Sequence, residues 1–164
     1  TKNFLGAMAD HMGETTSLNY MWNINRQVNQ YAKFPFTPIR MTAVGDADIA
    51  ITRQSYVFKY LENDFPAYVV RPKEGAPANL YGVALFSECG LTKEAANFFE
   101  WIIGSADVQN TSLVDATGYL FLYPRGRDYA AVDEDKLWLN NSYLDYDKQE
   151  ELVSKWLAKV RFSK

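Results

Sequence analysis

Residues 80–109, LYGVALFSECGLTKEAANFFEWIIGSADVQ, leave a chain few ways to fold. The first seven are a short apolar run between turn residues, the pattern of a strand buried on both faces. Cys89 and Gly90 break the run, and Thr92 is placed to cap a helix. Its apolar residues Ala95, Phe98, Phe99, Ile102 and Ile103 recur at i, i+3, i+4, i+7 and i+8, which is one helical face. Gly104 suits the end of that helix, and Ser105 the cap of another with Asp107 in its first turn, where a carboxylate meets the positive end of the dipole. Strand, turn and long amphipathic helix in this order predict an α/β fold.

The other segments agree with that class. Residues 47–51 and 67–71 are apolar and short enough for two more buried strands, the latter stopped by Pro72, which has no N–H to give to a ladder. A helix carrying Phe4, Leu5 and Met8 ends at Gly13, and a second runs from Glu14 to about Tyr31 with Leu18, Met21, Trp22, Ile24 and Val28 on its apolar side. Tyr20 and Trp22 could line a sugar or amine site, but aromatics at this spacing read as packing. Pro38 suits the first turn of a short helix ending at Gly45. Residues 137–144 are ambiguous in pattern, and Asn140, Asn141 and Ser142 make them turn-like. The last helix reads as capped by Asp147, with Glu150 three residues on and Leu152, Val153, Trp156, Leu157 and Val160 as one stripe that docks on the fold.

Composition removes several function classes. With 48% hydrophobic and 15% aromatic residues the chain has the makings of a packed core, and a formal charge of −3 does not suit nucleic acid, which needs clustered Lys and Arg. No apolar run reaches the roughly 18 residues of a membrane span. One cysteine, Cys89, leaves no internal disulfide or CxxC site and reads as a small buried residue. Among 20 carboxylates, 11 tyrosines and the single His11, no nucleophile motif or phosphate loop occurs, so no catalytic residues, no metal site and no cofactor are expected. Asp46 and Asp48 alternate like metal ligands but read as capping and solvated.

Binding is the better reading. The run 47–51 turns abruptly polar at Thr52, Arg53, Gln54 and Ser55. Open α/β sheets bind ligands beyond the carboxyl ends of their strands, where this tetrad would fall. One guanidinium with neutral donors beside it suits a carboxylate or phosphate oxygen, the alternative being an Arg53 salt bridge within its own lobe.

Three further motifs fall in order around the first stretch: Gly45-Asp46-Ala47-Asp48-Ile49-Ala50-Ile51, then Pro72-Lys73-Glu74-Gly75, then Glu94 to Trp101 leading to Ser105-Ala106-Asp107-Val108-Gln109. Together they resemble the bacterial extracellular solute-binding proteins of ABC importers, in the branch that holds ferric-ion, organic-phosphate and polyamine binders. The resemblance runs from about Gly13 to Trp156. It implies a periplasmic-binding-protein type II-like α/β fold with three-layer α/β/α lobes, present here as a C-terminal fragment. Residues 1–66 and 119–164 would then belong to the second lobe and 67–118 to the first, with the chain crossing near Ala67 and Gly118. It also implies a small-molecule solute, permease subunits as membrane partners, and a periplasmic or extracellular location, with a lipid anchor on the full-length protein as an option. Asn79 and Tyr81 would donate into the cleft from the wall opposite the tetrad. Where ferric-ion binders of this branch carry two adjacent tyrosines, this chain has Gln54 and Ser55 before Tyr56, and the tetrad lacks the carboxylates a polyamine needs. A small anion is therefore the expected ligand. A ligand-sensing domain on the same fold is the rival reading, and an isolated fragment with unpaired strand edges is expected to self-associate.

Overall fold

Gly13 is the reason the chain begins with two helices instead of one. Lys2–Met12 (α1) and Glu14–Asn25 (α2) meet at this residue, whose φ of +85° lies in the left-handed region open to glycine. Its N–H donates to the Ala9 carbonyl at 2.9 Å and closes α1, while its own carbonyl accepts from the Ser17 N–H at 3.0 Å and the Ser17 hydroxyl at 2.8 Å. The computed structural model describes residues 2–61, 65–86, 92–104 and 134–163. Over these residues the chain is mainly helical, with one two-stranded parallel sheet.

α2 stops at Asn25, short of the expected Tyr31, because Asn25 makes its bonds outside the helix. Its amide nitrogen donates to the Val160 carbonyl at 2.8 Å, its amide oxygen accepts from the Tyr31 hydroxyl at 2.6 Å, and the next two residues tighten into turns. Tyr31 thereby returns to the core, where its ring meets Trp156 edge-on at 5.4 Å. Trp22 does not pack as its spacing suggests: it is 48% exposed and Tyr20 is 52% exposed. Thr37–Ala43 (α3) carries Pro38 in its first turn as expected, and Gln54–Leu61 (α4) follows the polar tetrad. Lys93–Gly104 (α5) is opened by Thr92, whose hydroxyl accepts from the Ala95 N–H at 3.2 Å.

The sheet joins Ala76–Ala78 (β1) to Leu137–Leu139 (β2) in parallel, with Ala76 opposite Leu137 and Ala78 opposite Leu139. The sequence reads 73–79 as a loop and leaves 137–144 ambiguous and turn-like, so neither segment is singled out as a strand. Conversely, the apolar runs 47–51, 67–71 and 80–86 are not strands in the structure. Ile49, Tyr68, Val70 and Phe86 are 83%, 84%, 73% and 78% exposed. An apolar run becomes a strand only where a neighbour offers backbone partners, and the ladder among the described residues runs only between β1 and β2.

Tyr146–Trp156 (α6) is capped by Asp145, not by the expected Asp147. Asp145 keeps an extended backbone outside the helix, so its carboxylate can accept the Lys148 N–H at 3.1 Å, whereas Asp147 lies inside the first turn. Glu150, read as part of a capping box, instead pairs with Lys2. The apolar stripe behaves as expected, with Leu152, Trp156 and Val160 almost wholly buried. Leu157–Arg161 continues α6 as a π-helical turn, and the Val160 carbonyl takes the Asn25 amide.

Contacts divide the chain into two compact units. Thr1–Tyr31, Arg71–Tyr81 and Asp133–Lys164 form one; Ala32–Val70 and Gly82–Val132 form the other. In the first, Leu5, Met8, Ala9, Leu18, Met21, Leu152, Trp156 and Val160 make a continuous core between α1, α2 and α6. The second contains α3, α4 and α5. The expected features at Cys89, Gly90, Ser105, Asp107 and Gln109, and the crossing near Gly118, lie outside the described residues. No described helix is long and apolar enough to cross a membrane.

Candidate functional site

The polar tetrad stands at the start of a helix instead of the end of a strand. Residues 51–53 have no regular structure, and Gln54 and Ser55 form the first turn of α4. The Thr52 hydroxyl donates to the Pro35 carbonyl at 2.9 Å, tying this segment to the loop 33–36. The Arg53 carbonyl accepts the Tyr56 N–H at 3.1 Å. The Arg53 side chain is exposed and forms no ion pair among the described residues, so the alternative of a structural salt bridge finds no partner there. On the loop, Phe34 and Phe36 stack 5.5 Å apart with 52% and 36% exposure, and the Lys33 ammonium lies 5.6 Å from the Phe34 ring. The segment therefore offers two cations and an exposed aromatic pair along one short stretch of backbone.

Asn79 and Tyr81 belong to the first unit and the tetrad to the second. Asn79 follows β1, and its amide oxygen accepts from the Asn3 amide at 3.3 Å. Tyr81 is 66% exposed.

The richest polar cluster was not anticipated from sequence. It fastens the N-terminal helices to the C-terminal segment. The Asp10 carboxylate accepts the backbone N–H groups of Asn141 at 2.6 Å and Ser142 at 2.8 Å. Burial pushes its carboxyl upward, but these bonds outweigh that and hold it below the usual carboxylate value. The Glu14 carboxylate accepts from Lys155 at 2.7 Å and from the Tyr143 hydroxyl at 3.2 Å. The Lys155 bond holds Glu14 below its ordinary value, against burial and with help from Tyr143. Bonds to Glu14 and to Glu151 at 2.8 Å hold Lys155 above its own. Burial raises the Tyr143 hydroxyl, and its bond to Glu14 raises it further. These carboxylates are held ionised and engaged, which suits fastening and not acid–base chemistry. The signal was present as Asn140-Asn141-Ser142, a turn with free N–H groups, but its partner lies about 130 residues earlier.

His11 lies in the last turn of α1. Its ring stacks on Trp138 of β2 at 4.1 Å and 11°. Among the described residues no group of His, Cys, Asp and Glu could hold a metal ion. Nothing among them points to enzymatic activity.

A protein of Haemophilus influenzae, described as uncharacterized, is 26% identical over 161 residues, covering 93% of this chain and 45% of that protein. The chain thus spans about half the length of the curated relative it matches. No family model and no solved structure matches the chain.

Proposed function

We propose that the chain is part of a two-lobed, type II-like solute-binding protein that captures a small anion and delivers it to an ABC permease. The observation that carries this reading is Arg53, an exposed guanidinium with no carboxylate partner among the described residues, which leads into the half-buried polar residues Gln54 and Ser55. An unpaired guanidinium can make two parallel charge-assisted hydrogen bonds to a carboxylate or phosphate. The ordered sequence motifs at 45–51, 72–75 and 94–109 supply the family, and a relative about twice as long supports a bilobal parent. Lys33, tied in through Thr52 and Pro35, adds a second positive charge to the same stretch.

The test is isothermal titration of the full-length protein with inorganic phosphate and with acetate. Arg53→Ala is expected to weaken binding of whichever anion binds by about 1.5–3 kcal/mol, the range for a hydrogen bond to a charged group, with an unchanged melting temperature. Arg53→Lys recovers only part, since an ammonium lacks the planar fork. Unchanged affinity with a lowered melting temperature would make Arg53 a structural residue and end the anion reading.

A further inference from the structure

One end of the first unit carries a charge opposite to that of the chain. The whole sequence has a formal charge of −3, yet residues 15–31 and 152–164 together hold five Lys and Arg and no Asp or Glu. The fold joins the ends of these two stretches. The Asn25 amide donates to the Val160 carbonyl at 2.8 Å, so the residues next to this pair, Arg26 after α2 and Arg161 in the turn that continues α6, come to one place in the unit. Both arginines are exposed, and neither forms an ion pair among the described residues. Lys159 is exposed in the same turn. Glu14 is the acid nearest to it among the described residues with a resolved interaction, and that carboxylate is already engaged: the Lys155 bond holds it low first, and Lys159 contributes least.

Exposed aromatic side chains accompany these cations. Trp22 stands four positions before Arg26, on the same side of α2, and is 48% exposed. Phe162 is 68% exposed, and the Arg161 guanidinium lies 5.5 Å from its ring and 5.3 Å from the Tyr31 ring. We infer that this end of the unit docks on an anionic membrane surface, with its arginines at the lipid phosphates and Trp22 and Phe162 at the headgroup level. A helix C-terminus carries about half a negative charge. The two ends here therefore offset about one of the three exposed cations, and the patch stays positive. Arginine is more weakly hydrated than lysine and forks onto phosphate oxygens, and tryptophan favours the headgroup depth. Single-stranded nucleic acid would need aromatic faces for its bases, and Arg161 already lies over the rings of Tyr31 and Phe162. This surface belongs to the first unit and is independent of the Arg53 reading, which concerns the second.

The experiment is co-sedimentation of the intact chain with vesicles of equal parts phosphatidylcholine and phosphatidylglycerol, beside vesicles of phosphatidylcholine alone. It is run at about 0.1 M and about 1 M ionic strength, where the Debye length is about 10 Å and about 3 Å. Binding is expected to the phosphatidylglycerol vesicles alone and only at the lower salt. A cation near such a surface contributes about fivefold to partitioning. Arg26→Gln and Arg161→Gln should thus each weaken binding about fivefold, and the pair about 25-fold, with melting curves close to the parent's. Arg26→Lys and Arg161→Lys should keep most of it. Lys148→Gln removes the same charge from the exposed start of α6 and should leave binding unchanged. No binding at the lower salt, equal binding to both vesicles, unchanged binding in the double Gln variant, or an equal loss in Lys148→Gln would each overturn the inference. Tighter binding to a polyuridine strand than to the vesicles would make the patch a nucleic-acid surface and overturn it as well. If Arg161→Gln lowers the melting temperature, Arg26→Gln carries the test alone, and undiminished binding in that variant overturns the inference.

Discussion

Gly75 and Gly6 are glycines for different reasons, and the difference sets an order of cost. Gly75 has a φ of +111°, and a Cβ there would lie 2.5 Å from the Lys136 carbonyl oxygen and 2.6 Å from Trp138 Nε1. The first neighbour is backbone in the segment leading to β2 and cannot rotate away. Gly6 is helical, and a Cβ there would meet the Asn140 amide at 2.6 Å, a side chain held by bonds with Tyr143. Gly75→Ala is expected to cost about 1–3 kcal/mol in backbone strain and a similar amount in overpacking. Gly6→Ala incurs the overpacking alone and recovers up to about 1 kcal/mol from helix propensity. Urea denaturation of both variants checks the order, and a larger loss at Gly6 would refute it. At the same scale, Arg53 was visible as a residue, but that it forms no ion pair among the described residues depends on which carboxylates the fold brings near.

Helix α6 shows how one position decides a cap. Two aspartates, Asp145 and Asp147, precede its apolar stripe, yet only Asp145 stands outside the helix with its carboxylate on the Lys148 N–H. Asp145→Ala should cost about 1 kcal/mol. Asp147→Ala should cost about 0.3–1 kcal/mol through the helix dipole alone. Thermal melts of the two variants compare them directly, and equal losses would mean that the cap bond contributes nothing of its own. The fastening of α1 and α2 to the C-terminal segment adds a pH dependence. Glu14 and Asp10 have folded values below their ordinary 4.5 and 3.8, so their contribution is full above those values and is lost as pH falls through the lower folded ones. Lys155 is raised above 10.5, so its contribution is full below that and is lost as pH rises through the folded value. The melting midpoint should therefore begin to fall below about pH 4.5. In Asp10→Asn, Glu14→Gln protein that acid limb should be shallower; an unchanged limb would place the acid sensitivity elsewhere.

At the scale of the whole molecule, the buried apolar residues among those described are concentrated in the unit built from α1, α2, the sheet and α6. Local opening is easiest where buried contacts are few. Hydrogen exchange should therefore be slowest in α1, α2 and α6, and faster in α4 and α5, where Phe98 and Trp101 are 60% and 53% exposed. Equal protection in α5 and α1 would contradict this distribution. What the sequence by itself determined was the helices and their ends: the stripe of α6, the Thr92 cap of α5, Pro38 at the start of α3 and the break at Gly13. Helical hydrogen bonds join residues four apart, so the information that specifies them lies within a few neighbouring positions. Tertiary structure decided the strands. The apolar runs 47–51, 67–71 and 80–86 had the composition of strands and did not become them, while Ala76–Ala78 and Leu137–Leu139, which read as loop and turn, paired. It likewise decided that Asp10 would take the N–H groups of Asn141 and Ser142, and that the chain after Gly45 would fold back so that the Asp46 and Ala47 N–H groups donate to the Met41 carbonyl. A ladder or a fastening needs a partner supplied from elsewhere along the chain, and no local pattern names that partner.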